Sequence, residues 1–237
     1  MTEVAASPPR QFDGPPRAQG AKLVQPRRAA TLLIVRRDGP KPRLLMGRRN
    51  GGHNFMPNLW VFPGGRLDRK DFRAPHGSEL RPEVAAVFSR YLGPNHGRAL
   101  ALAAIRETFE EAGLLLALPA PPRNGAGSWR EFLAQGALPD LAAIDIMGRA
   151  ITPPMVAKRF DTWFLMADAE RLISLERQPD CGELDEIAWI DADAALEINL
   201  PNVTRQMMAE ALERVADPAR PRILRRWKRG TQGWEHL

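Results

Sequence analysis

The segment from Ala99 to Gly113 constrains the fold of this chain more than any other. Leu102, Ile105, Phe109 and Ala112 recur at 3-4-3 spacing and line one side of a predicted helix over Ala99 to Ala112. Gly113 stands where a C-terminal cap is wanted. Opposite the apolar stripe, Glu107, Glu110 and Glu111 occupy positions i, i+3 and i+4, which puts neighbouring Cβ atoms roughly 5–6 Å apart. Three uncompensated carboxylates that close repel one another. A hard divalent cation relieves the repulsion, and carboxylate oxygens are the donors Mg²⁺ prefers. An isolated Glu-x-x-Glu-Glu is more often a solvated acidic face, so the flanking sequence has to decide.

Upstream, Ala29 to Val35 is a short, continuous apolar run, the pattern of a strand buried on both faces. Arg36 to Pro40 has turn chemistry, and Arg43 to Gly47 reads as the returning strand. Asn58 to Phe62 is a third strand candidate, ended by Pro63-Gly64-Gly65. Residues 72–97 are punctuated by Pro and Gly, with room for one short helix at Pro82 to Tyr91, and read as an insertion. Pro119 to Gly127 reads as a loop and Trp129 to Gln135 as a helix. Arg159 to Ala167 and Glu186 to Ile190 read as strands, and Asn202 to Ala216 as a helix. Strands interleaved with helices indicate an α/β class. Residues 1–21, rich in Pro, Ala, Gly and Gln without periodic apolar positions, read as a disordered leader. This leaves 22–237 as a single domain.

The sequence around the helix resembles the Nudix hydrolase superfamily. Its signature is a Gly, five residues, a Glu, seven residues, then Arg-Glu-apolar-x-Glu-Glu-x-Gly-apolar. Arg106-Glu107-Thr108-Phe109-Glu110-Glu111-Ala112-Gly113-Leu114 matches the second half, with Thr108 in place of an apolar residue. Phe62-Pro63-Gly64-Gly65 resembles the strand-to-loop turn of the first half, and Asp71 follows Gly65 at the expected spacing of the first acid. Between Asp71 and Arg106, 34 residues replace the usual seven, so the box is split by the insertion. A long insertion at this place is also found in the acyl-coenzyme A diphosphatase branch. Phe55-Met56-Pro57, Val61 to Asp68, Ile151-Thr152-Pro153 and Arg159-Phe160-Asp161-Thr162 resemble that branch too. The resemblance implies an α/β/α sandwich around a central mixed sheet. It also implies a Mg²⁺-dependent diphosphatase, with Mn²⁺ as the alternative ion. Glu107, Glu110 and Glu111 would be metal ligands, with the Gly65 carbonyl as a further one. Arg106 would orient a carboxylate, and Glu183 would act as ligand or general base, with Glu186 its rival. Arg48, Arg49, Arg159 and Phe160 are the candidate substrate contacts; Arg36, Arg37, Lys158, Trp60 and Trp163 are weaker ones, a surface or core role suiting most of them better.

The net charge of +6 is compatible with nucleic acid, an anionic surface or a phosphorylated small substrate, and chooses none of them. A single cysteine, Cys181, excludes an intramolecular disulfide and a cysteine-based zinc cluster. No apolar run is long enough to span a bilayer. The expectation is a cytoplasmic enzyme acting on a small diphosphate substrate, compatible with a homodimer and with no role for a membrane. Coenzyme A or an acyl-coenzyme A leads the substrate classes. Nucleotide sugars, dinucleoside polyphosphates and oxidised nucleotides are the alternatives, followed by a non-catalytic RNA-binding protein of the same fold. The basic end from Pro221 to Leu237 motivates the last of these, although a solvated end is the preferred expectation for it.

Overall fold

The computed structural model describes residues 24–49, 58–154, 158–176, 184–198, 200–221, 223–228 and 231–236. The expected leader at 1–21 lies outside them. In chain order the chain forms β1 (Arg27–Arg36), β2 (Arg43–Arg49), β3 (Trp60–Val61), β4 (Gly64–Arg66), α1 (Pro82–Ser89) and α2 (His96–Ala112). There follow β5 (Ala117–Pro119), α3 (Trp129–Ala134), β6 (Ala137–Pro139), β7 (Asp145–Ile151) and β8 (Phe160–Asp168). The last elements are β9 (Leu184–Asp191), α4 (Ala192–Glu197), α5 (Asn202–Ala216), β10 (Ile223–Lys228) and β11 (Thr231–His236).

β1 is the hub of the mixed sheet, and its apolar run explains why. Leu32 and Ile34 enter one core cluster with α1, α2 and α3, while Leu33 and Val35 enter a second with α4 and α5. Alternate side chains of one strand thus bury both faces of the sheet, giving the α/β/α sandwich that the resemblance implied. β8 runs parallel to β1 over its length, and β7 pairs antiparallel with β8. β2 meets β1 only at Val35↔Leu44 and Arg36↔Arg43, then follows β9 from Arg43↔Asp191 to Arg49↔Leu184. The stretch of β1 that β2 leaves is taken by β4, with Thr31↔Gly64, Ala30↔Gly65 and Ala29↔Arg66. This places the Gly64–Gly65 turn beneath α2.

α2 starts three residues before the predicted Ala99 and ends at Gly113, whose φ of 68° is the left-handed cap conformation and whose N–H bonds the Phe109 carbonyl. Within 72–97, α1 presents Val84, Val87 and Phe88 to the same core that α2 builds, so these residues pack as part of the domain. Three expectations need correction. The third strand is only Trp60–Val61, because Asn58 adopts a left-handed φ of 58° and turns the chain. The basic end is a hairpin, β10–β11, with β10 parallel to β7. Its arginines are tolerated there because the fold supplies partners. Arg225 bonds the fully buried Glu210 at 3.1 Å, and Arg226 donates to the Tyr91 hydroxyl at 3.3 Å. β4, β5, β6, β7 and α4 also form where the sequence pattern predicts no element.

Candidate active site

α2 delivers Arg106 from its buried side, and the five donors of this guanidinium organise everything around it. Nε and Nη2 bond the two oxygens of Asp71 at 2.9 and 3.2 Å. Nη2 also bonds the Arg66 carbonyl at 3.1 Å, and Nη1 bonds Glu107 at 2.8 Å and Glu110 at 2.7 Å. Five N–H groups make five bonds, so Arg106 is saturated by the protein. Asp71, in a 3₁₀ turn over Asp71–Arg73, is fully buried. The two halves of the divided box, 35 residues apart, therefore close onto each other through one bidentate ion pair.

The other carboxylates tie the helix to the glycine turn. Glu111, 6% exposed, accepts the Gly64 N–H at 2.9 Å. The Glu107 carboxylate lies against Gly65, where a Cβ would come within 2.4–2.6 Å of it. Only glycine admits this approach. Thr108, the departure from the apolar pattern, is buried and returns its hydroxyl to the Ala104 carbonyl at 2.8 Å, so the core receives no unsatisfied polar group.

Three carboxylates, those of Asp71, Glu107 and Glu110, thus gather around one guanidinium, while a fourth, Glu111, holds the Gly64 N–H. Burial alone would push the Arg106 pKa down. The bonds from Asp71 and the fields of Glu107, Asp71 and Glu110 reverse this, and the net shift is upward. The expectation of three uncompensated glutamates is corrected in part, since Arg106 bridges Glu107 and Glu110. Among the described residues, no group of three or more His, Cys, Asp or Glu side chains is arranged as a ready metal cage.

The structure brings Arg106, Glu107, Glu110, Glu111 and Gly65 together. The expected substrate contacts are spread around them. Arg48 sits on β2 opposite Trp60 and pairs with Glu186 at 3.2 Å. Arg49, the next residue, has a buried Nε without a hydrogen-bond partner among the described residues. Arg159 spends Nε on the Thr152 carbonyl and Nη1 on the Val24 carbonyl, at 3.0 and 2.7 Å. Phe160 is half-buried at the start of β8, in register with Arg27. Arg36 and Arg37 pair with Asp38 and Asp168, and Trp163 is a fully buried core residue beside Phe88. Glu183 lies outside the described residues. The sequence reading missed Trp129, whose indole N–H bonds Asp71 at 3.0 Å. Its only signal was its place at the start of a predicted helix.

A mixed sheet between two helical layers, with a carboxylate-rich helix over a glycine turn, defines an α/β/α domain with a built acidic site. The family model described as the NUDIX domain matches residues 25–211, and the chain belongs to this family. Among curated proteins it is similar to the acyl-coenzyme A diphosphatase NUDT19 of Gallus gallus, at 33% identity over 72% of this chain and 62% of that protein. The Homo sapiens protein of the same name is 29% identical over 65% of this chain and 55% of its own length. The chain thus spans less than two thirds of these relatives. Among solved structures, a NUDIX hydrolase from Alicyclobacillus acidocaldarius superposes with a TM-score of 0.61 at 27% identity, covering 80% of this chain and 92% of that one. No described helix is long and apolar enough to cross a membrane.

Proposed function

We propose that this chain hydrolyses the diphosphate bond of a nucleoside diphosphate-linked substrate, with Mg²⁺ or, in its place, Mn²⁺. The observation that carries the reading is the closure of the divided box, in which Arg106 joins Asp71 to Glu107 and Glu110. The donor chemistry suits a hard divalent ion: both oxygens of Glu107 lie beside the backbone of Gly65, where a Cβ would displace them. Mg²⁺ keeps several waters and takes one or two carboxylates plus substrate phosphates, and Glu107, Glu110 and Glu111 are the residues that would hold it. When bound, the ion would neutralise the phosphates and acidify a water. The chain's own part is orientation. Arg106 holds Glu107 and Glu110 in fixed relation, and Glu111 fixes the glycine turn against the helix. Glu183, just before β9 in the sequence, is our choice to accept the proton of the attacking water.

Arg106 has no donor left for substrate, so phosphate contacts must come from elsewhere. Arg49, whose Nε has no partner among the described residues, is a better candidate than Arg48 or Arg159, which already have partners. The similarity to proteins named acyl-coenzyme A diphosphatase makes coenzyme A and its acyl esters the first substrates to test, ahead of nucleotide sugars, dinucleoside polyphosphates and oxidised nucleotides. An RNA-binding role is disfavoured because such a role needs no clustered carboxylates, and Arg225 of the basic end is engaged by Glu210. Mass spectrometry of a substrate panel incubated with protein and Mg²⁺ tests the proposal. Conversion of coenzyme A to 4′-phosphopantetheine and adenosine 3′,5′-bisphosphate is the expected result. Cleavage of another member alone would keep the reaction and change the substrate class.

A further inference from the structure

Asp71 accepts four hydrogen bonds while fully buried. Oδ1 takes Arg106 Nε at 2.9 Å and Trp129 Nε1 at 3.0 Å; Oδ2 takes Arg106 Nη2 at 3.2 Å and the Asp68 N–H at 2.8 Å. The first and third donors come from α2 and the fourth from the same turn. The Trp129 indole N–H reaches the carboxylate from a third element, α3, 58 residues downstream. The start of α3 is itself fixed by backbone bonds, from the Trp129 main-chain N–H to the Ala126 carbonyl and from the Arg130 main-chain N–H to the Gly127 carbonyl.

Packing alone does not account for an indole at this position. The Trp129 ring is 2% exposed and stacks edge-on against Phe132 at 5.3 Å, and Phe132 stacks against Phe109 of α2 at 5.3 Å. A phenyl ring would supply that contact without burying an N–H, a group that is costly inside a protein unless bonded. Here the N–H meets the oxygen that also holds Arg106 Nε. A carboxylate gripped from two elements cannot swing with the helix alone, and the guanidinium plane it sets fixes where Nη1 holds Glu107 and Glu110.

We infer that Trp129 is a positioning residue of the acidic site, acting through Asp71 and Arg106 on the spacing of Glu107 and Glu110, an inference that rests on the metal-site reading above. Outer-shell partners of this kind typically change metal affinity by about 10–100-fold. The test measures Mn²⁺ binding to the full chain by electron paramagnetic resonance, well below the melting temperature, for wild type, Trp129→Phe and Phe132→Leu. Trp129→Phe keeps an aromatic ring and loses the N–H; Phe132→Leu disturbs the same aromatic row and keeps it. The expected result is Mn²⁺ affinity at least about tenfold weaker in Trp129→Phe and unchanged in Phe132→Leu, whatever either does to stability. Wild-type affinity in Trp129→Phe, or equal weakening in both variants, would overturn the inference and leave the metal site standing. A wild-type protein that binds no Mn²⁺ would overturn both. On the wild-type protein alone, the Trp129 indole N–H resonance should shift during a Mg²⁺ titration along the binding isotherm, and a resonance that stays still would also overturn it.

Discussion

Replacing Asp71 with asparagine isolates the pair that closes the divided box. The side chain keeps its shape and loses its charge. Asp71 uses two oxygens to accept four donors, and asparagine has one oxygen and an NH₂ group. At least two donors therefore face another donor in a fully buried site. Bonds to charged groups contribute about 1.5–3 kcal/mol each, and breaking a buried ion pair by removing one partner costs roughly 3–5 kcal/mol. The two figures count the same loss, so they are not added. Glu107 and Glu110 still neutralise Arg106, which caps the damage. A destabilisation of roughly 3–5 kcal/mol follows, or a fall in melting temperature of about 6–20 °C for a chain of this size. Thermal unfolding followed by circular dichroism reads it. Asp38→Asn is the matched control, since Asp38 also binds arginines, Arg36 and Arg43, but at the surface, where such pairs contribute little. A loss at Asp71 below about 1 kcal/mol, or one no larger than that at Asp38, would refute the view that this pair joins the halves of the box.

Two further expectations follow from the geometry. Gly65→Ala should lower the melting temperature only modestly, because the atoms a Cβ would meet are the end of the Glu107 side chain, which can move aside by giving up its bond to Arg106. It should weaken Mn²⁺ binding at least about tenfold, and calorimetry showing wild-type affinity would contradict the placement of the ion beside Gly65. The bond from Arg36 to Asp38 outweighs the opposing effect of desolvation and, with a further bond from Arg43, holds the Asp38 carboxyl down from 3.8 to about 2. A lowered folded-state pKa means that its small contribution to stability is present above pH 3.8 and fades as pH falls toward 2. Arg36→Ala should raise the Asp38 midpoint in an NMR titration, and an unmoved midpoint would show that Arg36 is not the cause.

The elements that were legible in the sequence are those whose own residues settle their environment. The run Leu32–Val35 had to be buried on both faces, and it is. The Asn202 to Ala216 helix follows its apolar periodicity to the residue, and Gly113 marks the end of α2. β10 was not legible because Arg225 and Arg226 read as solvent-facing until Glu210 and Tyr91 are placed beside them. β7 was hidden by a register irregularity between Ile146 and Gly148 that breaks its alternation. At the site, helical spacing alone put Glu107, Glu110 and Glu111 together, and the spacing from Gly65 drew notice to Asp71. That Asp71 would close on Arg106 across 35 residues depends on how the insertion packs, and the bond from Trp129 depends on where α3 docks. Such contacts come from tertiary packing, which leaves no local pattern to read.

The most direct test of the central claim is Mg²⁺-dependent turnover of the substrate panel by wild-type protein and by Glu110→Gln, with product masses read from reactions run in ¹⁸O-labelled water. Glu110 is part-exposed and, among the described residues, its side chain bonds only Arg106, so the variant should fold as wild type does. The account predicts that wild type cleaves a diphosphate bond and places one labelled oxygen on a phosphate of the product, and that Glu110→Gln loses nearly all of this activity. A folded Glu110→Gln protein with full turnover, or a folded, metal-loaded wild type that cleaves nothing in the panel, would contradict it.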